Sequence, residues 1–281
     1  MLGKMRSKIY LFLKKNIPDN IKKYIYPILN FKKNLIIKLP LWIIRNLKTN
    51  IYGRDKKKIF SLRNFGGSSV ARGFSLFRTD PEVAEWIETF EKDSCFIDIG
   101  ANIGIYSLYA AHYKAKVYSF EPESLNFCCL NLNISDNKFN NQIIAFPLAI
   151  SSNTEISSLN LSKIVFGGSG HSFDRKITDS GNTFETHFKQ GSISCSLDEV
   201  VDKFNIFPNY IKIDTDGNEL KVLNGMKKTL NLNELKSIFI ELNLNFSEHL
   251  DAYNILKNNF KTFKKFEWYK GQDVFNYIFY R

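Results

Sequence analysis

From residue 95 onward the chain repeats one pattern: a short apolar run, a turn, then a stretch of helical periodicity. "CFIDI" (95–99), "KVYSF" (116–120), "QIIAFPLAI" (142–150), "YIKID" (210–214) and "SIFIEL" (237–242) have the length and β-branched or aromatic content of buried strands. Between them lie helical segments at about 103–112, 123–136, 196–204 and 218–230, with an amphipathic lead-in helix, "EVAEWIETF", at 82–90. Ser196 followed by Glu199 forms a capping-box pattern at the start of the third of these. Parallel strands need long crossovers, so this alternation predicts an α/β fold with a parallel sheet covered by helices. The tail, "KTFKKFEWY" and "VFNYIFY" about a glycine-containing turn, reads as a hairpin. An antiparallel ending of that kind departs from the dinucleotide-binding fold, whose last strand stays parallel. Residues 151–195 are polar and Gly/Ser-rich, and are expected to form an insertion of short strands and a mobile loop.

Charge divides the chain in two. Of 39 Lys and Arg, sixteen fall in residues 1–58, opposed there only by Asp19 and Asp55, so the net +11 belongs to the N-terminal arm. The remainder carries 23 basic and 26 acidic groups and is slightly acidic. In the arm, apolar residues such as Ile9, Phe12, Ile21, Tyr24, Ile25 and Ile28 alternate with lysines, and Pro18, Pro27 and Pro40 interrupt the helices. Lysine-flanked apolar stripes suit peripheral contact with an anionic membrane face, through residues 1–58, better than they suit nucleic acid. Helices that pack on the domain with solvated lysines are the alternative. The division expected is a basic amphipathic arm over 1–60 and a catalytic-size domain over 61–281. No apolar run reaches the ~20 residues of a membrane span, and "IYLFL" is short for a signal peptide. Cys95, Cys128, Cys129 and Cys195 show neither Cys-x-x-Cys spacing nor zinc-like His partners. A reduced, cytoplasmic protein is expected, peripheral on the inner membrane face if the arm binds there.

The first strand and its turn read "FIDIGANIGIYSLYAAH". Asp98 ends the strand, Gly100, Asn102 and Gly104 make the turn, and the helix from Ile103 is expected to offer unpaired N–H groups to an anion. Gly-x-x-x-Gly is not the Gly-x-Gly-x-x-Gly of pyrophosphate sites. An acid beside helical amides instead suits a ligand with both an ammonium and a carboxylate. Glu121 follows Asp98 by 23 residues, at the end of the second strand, where an acid can bind two ribose hydroxyls. An amino-acid end and a ribose end together describe S-adenosylmethionine.

The segments "WIETF", "FIDIGANIGIYSLYAA", "YSFEPES", "SLDEV", "YIKIDTDGNELKVLNGM" and "IFIELN", over about residues 80–245, resemble the FkbM family of S-adenosylmethionine-dependent methyltransferases. The resemblance implies the class I methyltransferase (Rossmann-like) fold, a mostly parallel seven-stranded sheet whose last strand is antiparallel. It also implies O-methylation of hydroxyls, often on sugars or polyketides, with Asp98, Gly100, Asn102, Gly104 and Glu121 lining the cofactor. Where the family usually reads Asp-Val-Glu-Gly, this chain has Asp214-Thr215-Asp216-Gly217.

Methyl transfer to a hydroxyl requires an aligned acceptor, a water-free site and a base. Ligands gather at the carboxyl ends of strands, so Asp214, ending the fourth strand, and Glu241, near the end of the fifth, are the candidates. His171, in the "GGSGHS" loop, is a third, as a lid residue. Asp216 and Glu219 are expected to belong to the start of the following helix, and His249 has no supporting context. Asp-x-Asp-Gly resembles the opening of a calcium loop, but its positions 1 and 12 would be Lys212 and Leu223, so no metal is assigned. Base-methylating enzymes place Asn/Asp-Pro-Pro-aromatic after the fourth strand, and "DTDG" lacks it, so no nucleic-acid partner is expected. The expected acceptor is a carbohydrate hydroxyl in a surface glycan or glycolipid. A lipid, polyketide or other small-molecule hydroxyl is the alternative. A non-catalytic, membrane-associated ligand-binding module and a NAD-dependent enzyme are readings of other classes.

Overall fold

A computed structural model describes residues 47–178, 180–267 and 273–281. Residues 1–46 of the arm expected over 1–60, and the turn joining the last two strands, lie outside the described residues. Residues Leu47–Arg281 form one compact unit. Its centre is a seven-stranded sheet made of β3 (Cys95–Ile99), β4 (Lys116–Phe120), β5 (Ile143–Phe146), β10 (Tyr210–Ile213), β11 (Ser237–Asn243), β12 (Thr262–Glu267) and β13 (Val274–Tyr280). The spatial order is β12-β13-β11-β10-β3-β4-β5. Strands β5, β4, β3, β10 and β11 run parallel, while β13 is antiparallel to both of its neighbours. This is the class I methyltransferase topology, closed by the antiparallel hairpin expected from the tail.

Successive strand residues face opposite sides of a sheet, and the two sides here carry separate cores. Phe96, Val117, Tyr210, Phe239 and Ile278 face α2 (Pro81–Glu88), α3 (Ile105–His112) and α4 (Ser124–Asp136). Ile97, Ile99, Ile211, Ile213, Ile238, Ile240 and Phe279 face α5 (Leu197–Phe204), α6 (Glu219–Asn224) and α7 (Ser247–Asn259). Burial on both faces explains why the strands read as continuous apolar runs. Helix α5 starts with the expected box: Ser196 Oγ accepts from the Glu199 amide and the Glu199 carboxylate accepts from the Ser196 amide.

Three expectations are corrected. The run 142–150 divides at Pro147, which has no N–H for a ladder; β5 ends at Phe146 and β6 (Ala149–Ile150) joins another sheet. The helix expected over 218–230 stops at Asn224; its C-cap, Gly225, packs where a Cβ would overlap the Ser151 carbonyl. Within residues 151–195 the expected short strands are β7 (Glu155–Leu161), β8 (His171–Phe173) and β9 (Phe188–Cys195), which join β6 in a four-stranded sheet, order β6-β9-β7-β8. At the N-terminal edge, β1 (Lys48–Tyr52) and β2 (Lys58–Arg63) pair as a hairpin that lies within the compact unit, not in a separate arm. Phe60 and Leu62 enter the core, and the Ser61 and Arg63 amides donate to Asn137 and Asn133 around the end of α4, both at 2.8 Å. A further helix, α1 (Gly67–Ser75), follows the hairpin. Among the described residues no helix is long and apolar enough to cross a membrane.

Candidate active site

The carboxyl ends of β3, β4, β10 and β11 open into a cavity of about 350 Å³. One end is apolar, walled by Phe120, Leu148, Ile150, Leu159 and Phe173. The other is ionic, with Asp80, Asp214 and Glu241 near Arg72 and Lys212, and Glu121 and Asp216 lie on the lining too. Five acids against two bases give the walls an excess of negative charge, which favours a cationic ligand.

The turn after β3 is tightly specified. Gly100 has φ 77°, and a Cβ there would overlap the Asp214 carbonyl, so the strand ends of β3 and β10 can meet only at a glycine. Asn102 is also left-handed (φ 51°); its amide donates to Glu121 Oε2 at 2.7 Å and its Nδ2 to the Gly168 carbonyl at 2.6 Å. Gly104 is the left-handed N-cap of α3. The helix thus begins at Ile105, later than expected, and the amides of Ile103 and Gly104 already donate to Asn102 Oδ1 and the Ala101 carbonyl. Glu121 accepts a second amide, from Glu123, at 2.9 Å. Burial nevertheless pushes its carboxyl up to about 7, against the two amides.

Asp98 sits differently from the other expected cofactor residues. It is fully buried below the cavity floor, its Oδ2 accepting from Ser107 at 2.5 Å. Burial raises its proton affinity, opposed by the nearby Lys212. Ser119, Asp98 and Lys212 stand in register across β4, β3 and β10. Lys212 Nζ lies 3.0 Å from Asp214 Oδ2 and 3.7 Å from Asp98 Oδ1. Burial alone would lower the Lys212 pKa, yet Asp214 and Asp98 together hold it above its usual value. One step along, Glu241 of β11 pairs with Asn276 of β13, whose Nδ2 donates to Glu82 at 2.6 Å. The structure therefore brings Asp214 and Glu241 to the same end of one cavity.

His171 is not a swinging loop residue. It opens β8, paired with Leu161, and is 9% exposed. Its Nδ1 accepts the Ser162 amide at 3.3 Å, which places the ring proton on Nε2. Burial holds its pKa down at about 4, so the ring is neutral and suited to donate a hydrogen bond, not to take a proton. Asp216 does not cap α6 either: it reaches across to accept the Gly170 and His171 amides at 2.8 and 3.3 Å. Burial raises its carboxyl to about 7, and Asp214 adds to the shift. With Asn126, which accepts from the Gly167 amide and donates to the Gly168 carbonyl, these side chains clamp the 167–171 strand entry over the cavity.

Two residues set the Asp214–Gly217 turn from behind. Glu219 Oε1 accepts from the Thr215 amide and hydroxyl, both at 2.9 Å, and its Oε2 faces His249 Nε2 at 2.7 Å. Asn243 donates its amide to His249 Nδ1, which leaves the proton on Nε2, toward Glu219. Burial would raise the Glu219 carboxyl, but His249 and the turn amides hold it below the usual range. Lys212 and His249 are the positions of this candidate site missed from sequence; a lysine inside the apolar run "YIKI" was the available signal for the first. Among the described residues, no cluster of three or more metal-ligating side chains is present.

The profile of the methyltransferase FkbM domain matches residues 98–263. The hexuronic acid methyltransferase AglP of Haloferax volcanii is 30% identical over 146 residues, 51% of this chain and 54% of that protein. The chain thus matches about half the length of this curated relative. Among solved structures, precorrin-6y C5,15-methyltransferase of Geobacter metallireducens superposes with a TM-score of 0.42 at 10% identity, over 71% of this chain and 86% of that one. An rRNA methylase of Streptococcus thermophilus does so at 0.44 and 10%, over 73% and 96%. A profile covering more than half the sequence, on the strand order of a class I methyltransferase and a cavity at its strand ends, leaves one assignment: the chain belongs to the FkbM methyltransferase family.

Proposed function

We propose that the protein is an S-adenosylmethionine-dependent O-methyltransferase whose acceptor is a sugar hydroxyl of a surface glycan or glycolipid. The observation that carries this is the two-ended cavity: an apolar slot beside Glu121 at one end, and Asp214 with Glu241 at the other. The residues fit the cofactor. An acid-rich lining suits a sulfonium, the apolar walls of Phe120, Ile150, Leu159 and Phe173 suit a purine, and Glu121 at the end of β4 suits ribose hydroxyls. Gly100, Asn102 and Gly104 shape the turn between these ends, and Asp98 supports it from below. When bound, the cofactor supplies a methyl group already activated for displacement.

What the chain itself must do is orient the acceptor and take its proton. Asp214, on the cavity rim with a side chain 39% exposed, is the proposed base. Glu241 and Asn276 are its neighbours for holding acceptor hydroxyls. Lys212 keeps Asp214 turned toward the cavity. The neutral His171 supplies a donor, in place of the lid role expected for it. The sugar is supported by the hexuronic acid methyltransferase among the relatives. Residues 1–58 are proposed to bring the domain to an anionic membrane surface where lipid-linked glycans are built.

Calorimetry with S-adenosylhomocysteine and NAD tests the cofactor, and binding of NAD alone would refute the reading. Methyl transfer from labelled cofactor to hexuronic acids, neutral sugars and glycolipid extracts then tests the acceptor. A product stable to mild alkali is the ether this reading requires, and an alkali-labile ester would overturn it. Binding without transfer to any of them would return the chain to a ligand-binding module. Equal flotation on anionic liposomes with and without residues 1–58 would remove the membrane role.

A further inference from the structure

Lys212 is 1% exposed in the middle of a strand whose every residue is buried. Lysines are almost never buried unless paired, and this one has two acids to choose from. Its Nζ bonds Asp214 Oδ2 at 3.0 Å, lies 3.7 Å from Asp98 Oδ1, and sits 5.3 Å from the centre of the Tyr106 ring. The two acids are not equivalent. Asp214 reaches the cavity, whereas Asp98 is fully buried, with Oδ2 tied to Ser107 and Ser107 to Ser119 at 2.8 Å. Asp98 Oδ1 accepts no hydrogen bond from the described residues. A buried carboxylate oxygen left this way is costly and calls for an explanation. The position of Nζ supplies one, because a small rotation of the lysine chain would complete it.

We propose that Lys212 is a positioning residue with two stations: it pairs with Asp214 in the resting enzyme and moves to Asp98 Oδ1 once Asp214 has taken the acceptor's proton. The proposal rests on the reading of Asp214 as base. In that step the acceptor O–H proton passes to an Asp214 carboxylate oxygen. The O–H electron pair stays on the acceptor oxygen and forms the new bond to the methyl carbon, while the pair of the broken carbon–sulfur bond remains on sulfur. Asp214 is then neutral and no longer partners an ammonium. Without a second acid the Lys212 charge would be buried alone. Asp98 thereby serves a part in turnover without touching the cavity.

Asp214 is faced by several titratable groups. Lys212 lies beneath it on β10, Asp98 on β3, Asp80 and Tyr106 on the α2–α3 side, Asp216 on its own turn, and Glu241 on β11.

The first test is a crystal structure of full-length Asp214→Asn with S-adenosylhomocysteine, a mimic of the protonated base on the cavity rim. Nζ is expected to close on Asp98 Oδ1 from 3.7 Å to the ~2.8 Å of a charge-assisted bond. Nζ staying in place, or turning into the cavity, overturns the proposal. The second is a crystal structure of full-length Lys212→Met, in which the Asp214 side chain, released from its 3.0 Å bond to Nζ, is expected to leave its present orientation; an Asp214 carboxylate that stays in place refutes the role. Should Lys212→Met not fold, the Asp214→Asn structure still decides. Both readouts are independent of turnover. An active enzyme with a stationary lysine defeats this proposal alone, and a moving lysine in a protein that transfers no methyl defeats the function and not the relay.

Discussion

Replacing Glu121 with glutamine tests the cofactor assignment most directly. The carboxylate is 5% exposed and holds two main-chain amides, Asn102 at 2.7 Å and Glu123 at 2.9 Å. Burial still lifts it from 4.5 to about 7. At ~1.4 kcal/mol per pKa unit, ionising it in the ligand-free protein costs about 3 kcal/mol. Hydroxyl donors from a bound ribose favour the ionised form, so affinity must rise with pH. A group titrating near 7 is roughly one-tenth ionised at about pH 6 and nine-tenths at about pH 8, giving an approximately tenfold tighter Kd across that window. Glutamine keeps one acceptor but turns an NH2 toward one of the two amides. Losing hydrogen bonds to a charged group, at ~1.5–3 kcal/mol, should weaken binding about 10- to 100-fold at the upper pH. The stability sign runs the other way. A carboxyl whose folded pKa is raised contributes most below the unfolded value of 4.5, and that contribution is lost as pH rises through about 7. The ligand-free enzyme should accordingly lose thermal stability from this group over the interval in which ligand affinity grows. Calorimetry with S-adenosylhomocysteine on wild type, Glu121→Gln and Asp216→Asn separates the two groups that titrate near 7. A Glu121→Gln protein with unchanged affinity and an unchanged pH slope would refute the assignment.

Gly100→Ala should cost at least the ~1–3 kcal/mol of a left-handed non-glycine, plus the overlap with the Asp214 carbonyl; a melting curve matching wild type would contradict the turn geometry. His249→Ala leaves Glu219 buried without its ring partner and should lower stability by roughly 1.5–3 kcal/mol, the worth of a hydrogen bond to a charged group, measured by urea unfolding. Because Glu219 is held below 4.5, its contribution is present at neutral pH and is lost as pH falls below that value. An acid-unfolding midpoint identical in His249→Ala and wild type would argue against the pair. Among the cysteines, Cys128 is exposed, whereas burial pushes the Cys95 and Cys129 thiols up to about 12. In the folded protein a disulfide reagent should label Cys128 fast and the other two only on unfolding; rapid labelling of three thiols would be the contrary result.

The strand ends and the glycine turn could be read from sequence because local rules determine them. A strand buried on both faces leaves an unbroken apolar run, and the turn that follows needs glycine where two strand ends touch. What was not readable depends on distant partners. Glu219 and His249 are thirty residues apart, and neither carries a local pattern announcing the other. Asp216 looks like a helix-start acid until β8 is placed opposite it. His171 lies in a glycine-rich context that reads as loop, while its pairing with Leu161 is fixed by a strand ten residues earlier. The β1–β2 hairpin was hidden by its lysines, which extended the apparent basic arm as far as Phe60, a core side chain. Pro147 and Lys212 are different, since each broke a local rule in plain view.

The clamp over the cavity has one more property. Asn102, Asn126 and Asp216 all reach residues 167–171 through main-chain atoms: the amides of Gly167, Gly170 and His171, and the carbonyl of Gly168. The frame thus recognises the segment's path and not its side chains. Wherever the glycine conformations are kept, residues between them, such as Ser169, can change without unfastening the wall. Selection, natural or in the laboratory, can therefore reshape this side of the cavity while the methyl-transfer frame stays untouched.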